Sequence, residues 1–237
     1  MHQRPVYRMY NTAITRIEDV TPRMRRVTLS GADLADFDSD RPGQWIKLFF
    51  GESDEGRAFT IRRWSPETRE LVVDFVRHGH GPAGRWLTDA KPGAIVRLAG
   101  PRSDFRYRPG RQLFLFGDET ALPAISAIVE DLPATAWAMV VIEIADRAAK
   151  QEIHSAAPVR WHWIVNADGE PGAPLVDYVR RLIVGPESAQ IWIGCECAAA
   201  RTLRTGYRAL GFDKTTLHAS GYWKKGAIEH VDHDSDY

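Results

Sequence analysis

The sequence predicts two folded domains of different class, an N-terminal antiparallel β-barrel followed by a C-terminal α/β domain with a parallel sheet. From about Thr12 to Leu98, short β-branched and aromatic runs alternate with turn residues, which is typical of antiparallel strands. Beyond Arg108-Pro109-Gly110, apolar strands alternate with helical stretches, which is typical of a parallel sheet covered by helices. The 237 residues are enough for two such domains, which we place at residues 1–109 and 110–237.

The first half contains six strand-like runs. Turn residues separate them, for example at Arg41-Pro42-Gly43, Trp64-Ser65-Pro66 and Lys91-Pro92-Gly93. A short helix is expected over residues 82–90, because Pro82 stands at a favourable first helical position. The predicted strands are residues 13–17, 24–29, 45–50, 58–61, 71–76 and 95–98.

The second half alternates strands with helices in the manner of a parallel sheet with helices on its faces. Its predicted strands are residues 112–116, 136–144, 159–165 and 190–193, and its predicted helices are residues 121–131, 174–184 and 198–210.

Charged residues directly follow three of these predicted strands, in Gly117-Asp118-Glu119-Thr120, Ala145-Asp146-Arg147 and Gly194-Cys195-Glu196. Ligands of open α/β sheets bind beyond the carboxyl ends of the strands, so these turns form one candidate site if the strands are parallel. The first turn opens a helix whose N–H groups and dipole favour a phosphate or carboxylate. Asp118 and Thr120 could equally serve only to cap that helix.

Composition and charge narrow the classes of partner. The 31 lysines and arginines balance 31 aspartates and glutamates, so no bulk basic field would hold nucleic acid or anionic lipid. The most apolar window, residues 136–145, is interrupted by Glu143 and is far shorter than the ~20 residues of a membrane span. Cys195 and Cys197 are too few for a zinc site and too close for an unstrained disulfide. We therefore expect a cytoplasmic protein with no membrane anchor.

One short run in the first half, Arg57-Ala58-Phe59-Thr60-Ile61-Arg62, combines guanidinium groups, a ring and a hydroxyl. Strand alternation places Arg57 and Phe59 on one face, with Thr60 and Arg62 at odd separations from that row. A flavin would use a guanidinium for its phosphates, a ring for stacking and a hydroxyl for ring nitrogen N5. Taken alone, the run is more simply explained as an edge strand with solvated arginines.

In combination with other stretches, the run identifies a family. It resembles the R-x-Y-[ST]-x-R signature of the siderophore-interacting proteins, the flavin-dependent ferric-siderophore reductases of the ferredoxin-reductase superfamily. The resemblance spans almost the whole chain. The other matching stretches are Val73-Asp74-Phe75-Val76-Arg77-His78-Gly79, Gly81-Pro82-Ala83 with Trp86, Gly100-Pro101-Arg102, Gly117-Asp118-Glu119-Thr120-Ala121-Leu122-Pro123-Ala124-Ile125, Ile191-Trp192-Ile193-Gly194 with Glu196, and Gly221-Tyr222-Trp223 with Gly226.

The resemblance implies a barrel that holds FAD and a domain that binds NADH or NADPH. Thr60 would face flavin N5 and is the residue expected nearest the reacting atoms. The pyridine-nucleotide cleft would be lined by Asp118, Glu119, Thr120, Ala121 and Pro123. The other implied cofactor contacts are Arg57, Phe59, Arg62, His78, Gly79, Gly81, Pro82, Ala83 and Trp86, with Tyr222 and Trp223 as an aromatic pair close to the flavin.

The resemblance also implies a ferric siderophore as substrate. Ferric catecholates are anionic, so the face that they approach should be locally basic. Lys47, Arg102 and Lys224 stand where the family has its basic cluster, although each alone is explained as a solvated surface charge. We expect no resident metal, because His78 and His80 belong to the flavin motif, while His230 and His233 lie in an acidic terminal segment.

The sequence leaves the electron donor and the breadth of the activity open. Phe59 replaces the usual family Tyr, which keeps stacking but removes a hydroxyl contact. Arg147 would suit the 2′-phosphate of NADPH, but NADH or a ferredoxin-type electron donor stays open. The alternatives are a broader flavin-dependent reductase of quinones, free flavin or an iron–sulfur protein, and a non-catalytic siderophore-binding module.

Overall fold

A computed structural model describes residues 8–51, 56–77, 81–103 and 105–227 of the chain. The chain divides into two units between residues 104 and 105. The first unit has an antiparallel sheet and the second a parallel sheet, which confirms the predicted fold class.

The described part of the first unit holds seven strands and one α-helix. In chain order these are β1 (Met9–Thr21), β2 (Met24–Ser30), β3 (Trp45–Phe49), β4 (Arg57–Thr60), β5 (Arg63–Ser65), β6 (Glu70–Val76), α1 (Gly81–Asp89) and β7 (Ile95–Arg102), with a short 3₁₀ helix at Ala32–Asp36.

The seven strands form one sheet in the order β4-β3-β7-β1-β2-β6-β5. β4 and β5 end this order on opposite sides, although they are almost consecutive in the chain. Between them, Ile61 N donates to Gln44 O at 2.8 Å and Arg62 N donates to Val72 O at 2.9 Å. Adjacent residues thus bond to both edges, which curls the sheet into the predicted barrel-like form.

Alternate residues of the strands fill the interior of the first unit. Val27 and Leu29 in β2 stand opposite Val73 and Leu71 in β6, and all four are at most 1% exposed. This period of two is what distinguishes half-buried strands from helices in the sequence. All six predicted strands are present, with ends shifted by a few residues.

The described part of the second unit holds five strands and three α-helices. In chain order these are β8 (Gln112–Asp118), α2 (Leu122–Asp131), β9 (Ala138–Ile144), β10 (Val159–Val165), α3 (Ala173–Val179), β11 (Ala189–Glu196), α4 (Cys197–Ala209) and β12 (Leu217–Trp223), with a 3₁₀ turn at Arg147–Ala149.

All neighbouring strands of the second sheet are parallel, in the order β10-β9-β8-β11-β12. β8 comes first in the chain and lies in the middle, so the later strands extend the sheet on both of its sides. A crevice forms beyond the carboxyl ends of two strands where the connections diverge in this way, here β8 and β11. Every residue of β9 and of β11 is buried, as expected for strands covered on both faces.

Three elements differ from the prediction. The sequence Trp64-Ser65 was expected in a turn but lies in β5, because Trp64 pairs with Leu71 and the turn follows at Pro66. β12 was not predicted, since its sequence Leu217–Trp223 lacks a strong β-branched run. α3 ends at Val179 rather than at residue 184, and hydrogen bonds between residues three apart close its last turn.

Candidate functional site

The motif strand β4 lies at one edge of the first sheet and pairs with β3. Phe59 stands opposite Ile46, and Arg57 stands opposite Leu48. The two motif residues therefore share the face of the buried β3 side chains. Thr60 belongs to the other row of side chains and is itself 8% exposed.

An aromatic cluster, which we define as Phe50, Phe59, Phe75 and Trp86, surrounds the motif. The ring centroids of Phe59 and Phe75 are 4.5 Å apart, and Phe59 meets Phe50 edge-on at 6.0 Å. Trp86 completes the cluster at 4.7 Å from Phe50 and 5.7 Å from Phe75. Phe75 is buried while the other three rings are half-buried, so apolar ring surface is available for stacking.

The residues at this edge fit the chemistry of FAD. Arg57 offers a half-buried guanidinium for phosphate, and Thr60 offers a hydroxyl on the same four-residue strand. Gly56, just before β4, packs tightly against its neighbours, because a Cβ there would lie 2.8 Å from the Phe49 ring. A planar ring system that bears phosphates therefore matches the groups on this strand.

The helix that carries the expected cofactor contacts Gly81, Pro82 and Ala83 is present as α1. Its first two residues are Gly81 and Pro82, and its Trp86 belongs to the aromatic cluster. The predicted contacts His78 and Gly79 lie outside the described residues. The helix predicted over residues 82–90 is confirmed, because α1 spans Gly81–Asp89.

The last motif residue, Arg62, contacts a buried carboxylate that the sequence analysis did not single out. Arg26 Nε and Nη2 each donate to one oxygen of Asp74 at 2.7 Å, and Arg62 Nε lies 3.7 Å from Asp74 Oδ2. The Asp74 side chain is 1% exposed. A signal was present, because an acid inside the apolar β6 run Glu70–Val76 needs a cationic partner.

Two of the three cations predicted to face the substrate lie on neighbouring strands of the first unit. Lys47 in β3 stands opposite Ala99 in β7. The Arg102 guanidinium lies 5.0 Å from the ring centroid of Trp45, a cation–π contact across the same pair of strands. The third cation, Lys224, is exposed and follows β12 in the second unit.

At the carboxyl edge of the second sheet, Asp118 ends β8 and joins three segments. Its Oδ1 accepts from Thr120 N at 2.9 Å and from Thr120 Oγ1 at 2.5 Å. Its Oδ2 accepts from Glu196 N at 3.0 Å and from Trp223 Nε1 at 2.8 Å. Burial raises the pKa of Asp118 above its ordinary value, while these four hydrogen bonds act to lower it. The alternative role as a helix cap is wrong, since Ala121 is the N-cap of α2 and no side chain caps that helix.

Two further carboxylates link neighbouring segments at this edge of the sheet by hydrogen bonds. Glu196 Oε2 accepts from Ala198 N at 2.6 Å and caps α4, and Glu196 Oε1 accepts from Lys225 N at 3.3 Å. Glu119 Oε1 accepts from Ala145 N at 2.8 Å and so joins the turns after β8 and β9. The sequence argument that these turns share one edge is confirmed by the parallel strands.

The residues predicted to line the nucleotide cleft differ in their exposure to solvent. Ala121 is fully buried and Pro123 is buried, so both pack the start of α2 into the core. Thr120 is half-buried, and Asp146 and Arg147 after β9 are exposed. Ribose or phosphate groups could therefore reach the turn after β9 directly.

Cys195 and Cys197 form no disulfide. Burial, followed by the charges of Asp118, Glu196 and Glu143, raises the pKa of Cys195 well above its ordinary value. Its thiol is therefore neutral near pH 7 and a poor nucleophile. No group of three or more histidine, cysteine, aspartate or glutamate residues that could hold a metal occurs in the described ranges.

The first unit and the second together define a class. An antiparallel barrel-like sheet followed by a parallel sheet covered by helices is the ferredoxin-reductase-like fold. A solved ferredoxin reductase of carbazole 1,9a-dioxygenase has this fold, with a TM-score of 0.72 at 16% identity, 91% coverage of this chain and 70% of that chain.

The chain belongs to the siderophore-interacting protein family. The family's sequence model for "Siderophore-interacting protein" matches residues 110–226, and that for "Siderophore-interacting FAD-binding domain" matches residues 13–57 and 54–105. The ferric vibriobactin reductase of Vibrio cholerae is 32% identical, over 91% of this chain and 89% of its own length. A siderophore utilization protein from T. fusca has a TM-score of 0.87 and 28% identity, covering 96% of this chain and 97% of that chain.

Among the described residues, no helix has the length and apolar character needed to cross a membrane.

Proposed function

We propose that the chain is an FAD-dependent oxidoreductase that takes electrons from NADH or NADPH and reduces ferric siderophores, releasing ferrous iron. The observation that carries this proposal is the β4 edge, where Arg57 and Thr60 flank Phe59 of the aromatic cluster inside the family's FAD-binding region. The name of the Vibrio cholerae relative supports a ferric siderophore as the acceptor.

In the first unit, we assign the FAD contacts to the motif and α1. Arg57 binds phosphate, the Phe59 ring and its cluster pack against the flavin, and Thr60 donates its hydroxyl toward N5. Arg62 is positioned for its contact by Asp74. When bound, FAD accepts two electrons from a nicotinamide and passes them on singly, which a one-electron acceptor such as ferric iron requires.

In the second unit, we assign the nicotinamide nucleotide to the carboxyl edge between β8 and β11. Thr120 lines this edge, while Asp118 and Glu119 use their oxygens to hold neighbouring turns in place. Exposed Arg147 lies after β9, where it could bind a 2′-phosphate and favour NADPH.

We assign the approach of the anionic ferric chelate to Lys47, Arg102 and Lys224. Reversing two charges, for example Lys47→Glu with Lys224→Glu, should raise the KM for a ferric tris-catecholate at least about tenfold with little change in FAD content. Equal kinetics for wild type and double variant would reject this assignment.

The proposed function is tested by anaerobic spectroscopy of the purified holoprotein. NADH or NADPH should bleach the flavin absorbance, and a ferric tris-catecholate should restore it while a ferrous-specific chelator records the released iron. A parallel arm with reduced ferredoxin tests the other donor. Bleaching that quinone or free flavin reverses but no ferric chelate does would establish the broader reductase instead, and a protein that binds chelate without any flavin would establish a binding module.

A further inference from the structure

The end of β12 is tied to the centre of the second sheet by a bond that crosses a whole strand. Asp118 lies on β8 and Trp223 lies on β12, and β11 runs between them. The indole Nε1 nevertheless donates to Asp118 Oδ2 at 2.8 Å, joining residues 105 positions apart. The next residues are held as well, because Lys225 N donates to Glu196 Oε1 at 3.3 Å.

The local backbone is shaped for this bond. Cys195 pairs with Gly221 but Glu196 pairs with Trp223, so β12 has one extra residue, Tyr222, in a bulge. A bulge of this kind re-aims the side chains that follow it. Gly194 makes room on the neighbouring strand, because a Cβ there would lie 3.0 Å from the Tyr222 ring.

The indole of Trp223 can only be the donor of this hydrogen bond, and Asp118 the acceptor. The same Oδ2 also accepts from Glu196 N, so one oxygen fixes both the β11 end and the β12 end. Hydrogen bonds to an ionised acceptor are the stronger kind, so this pair of bonds favours one orientation of the indole.

We propose that Asp118 is a positioning residue that acts through Trp223. By clamping the indole, Asp118 fixes the end of β12 and thereby the exposed Lys224 that follows it, so that Lys224 meets the ferric chelate in one geometry. The proposal rests on the proposed function for the role of Lys224, but the clamp itself is independent of that role. Asp118 thus serves the substrate side of the reaction rather than contacting the nicotinamide nucleotide.

The clamp is tested first without any turnover, by NMR of the indole protons in the holoprotein. Trp223→Phe identifies the Trp223 signal by its loss. In Asp118→Asn, whose neutral amide oxygen is a weaker acceptor than a carboxylate in either amide orientation, this signal should shift and its exchange with solvent should quicken about tenfold. An unchanged signal and exchange rate would overturn the clamp.

Kinetics test what the clamp does. Asp118→Asn and Trp223→Phe should each raise the KM for a ferric tris-catecholate about three- to tenfold, and raise the KM for NADH or NADPH less. The double variant should be no worse than the worse single variant, because both changes act on the same bond. Trp163→Phe is the matched control, since Trp163 stacks on Trp161 in β10, and it should change neither KM.

The possible results distinguish a failure of the Asp118 clamp from a failure of the proposed function. If Asp118→Asn raises the KM for the nucleotide and leaves that for the chelate unchanged, Asp118 acts at the nucleotide and the proposal is overturned. Additive losses in the double variant would also overturn it. If the wild type does not reduce any ferric chelate, the proposed function fails while the NMR result still decides whether the clamp exists. If Asp118→Asn does not fold, Trp223→Phe against Trp163→Phe decides the kinetic question.

Discussion

The candidate cofactor region of the first unit and the candidate nucleotide region of the second unit are built in opposite ways. In the first unit, the site centres on consecutive residues of one edge strand, Arg57–Thr60, and the charge of Asp74 beside it is matched by arginine. In the second unit, the site is assembled from turns far apart in the chain, and its carboxylates accept from backbone N–H groups and an indole. The first region depends on local spacing, whereas the second depends on the order of the strands.

The two regions are therefore sensitive to different kinds of substitution. A change in the first region should act on cofactor affinity or on the barrel that supports the motif. A change in the second region should act on the alignment of separate turns, because a single carboxylate there touches three segments.

The largest effect is expected from the buried ion pairs behind the motif. Asp74→Ala leaves Arg26 and Arg62 beside an apolar gap, and the loss of one buried partner costs about 3–5 kcal/mol of unfolding free energy. Denaturant unfolding measures this loss. Asp36→Ala is the matched control, because its 2.8 Å pair with Arg8 is exposed, and it should cost about 1 kcal/mol or less. Equal losses in both variants would contradict the view that arginine neutralises a buried charge here.

The next largest effect concerns the ring of the motif. Phe59→Ala should weaken FAD binding by about ten- to a hundredfold, because ring stacking is worth about 1–3 kcal/mol. Titration of the apoprotein with FAD, followed by flavin fluorescence, gives the Kd. Phe59→Tyr keeps the ring and should stay within about threefold of the wild type. An unchanged Kd for FAD in Phe59→Ala would show that the Phe59 ring does not contact the cofactor.

A moderate effect is expected at the crevice of the second unit. In Gly194→Ala, the new Cβ would lie 2.7 Å from the Trp192 ring and 3.0 Å from the Tyr222 ring. Such overpacking costs about 1–3 kcal/mol, measured by thermal unfolding. Gly206→Ala is the control within α4, where a Cβ meets nothing within 4 Å, and it should stabilise the chain by about 0.5–1 kcal/mol. Equal destabilisation by both variants would show that close packing at Gly194 does not determine the cost of the added Cβ.

The smallest effect concerns the turn before β12. Hydrogen bonds from Thr215 and Thr216 lower the pKa of Asp213 from 3.8 to about 2. A lowered pKa means that the ionised form stabilises the fold at pH above 3.8, and that this contribution is lost as the pH falls toward 2. Because Asp213 is exposed, the contribution should be below about 1 kcal/mol. Unfolding of wild type and Asp213→Asn should differ at pH 6 and converge near pH 2; a constant difference would contradict the assignment.

The sequence predicts much of the first region and less of the second. Spacing along one strand is enough to place Arg57 and Phe59 on one face, because strand geometry has a fixed period of two. It also predicts that the turns after β8, β9 and β11 share an edge, because parallel strands end on the same side. The partner of Asp118 could not be predicted, since Trp223 reaches it only through the bulge in β12 and the position of that strand beside β11. The ion pairs of Asp74 were also missed, because its partners Arg26 and Arg62 lie on other segments of the chain.

The central claim is that FAD binds without covalent linkage against the motif strand of the first unit. Gentle denaturation of the purified protein, or extraction of its cofactor followed by titration of the apoprotein with FAD, tests this claim most directly. We expect one releasable FAD per chain, or tight uptake of one FAD that restores flavin absorbance. A protein that yields no FAD and takes up none on titration would contradict it.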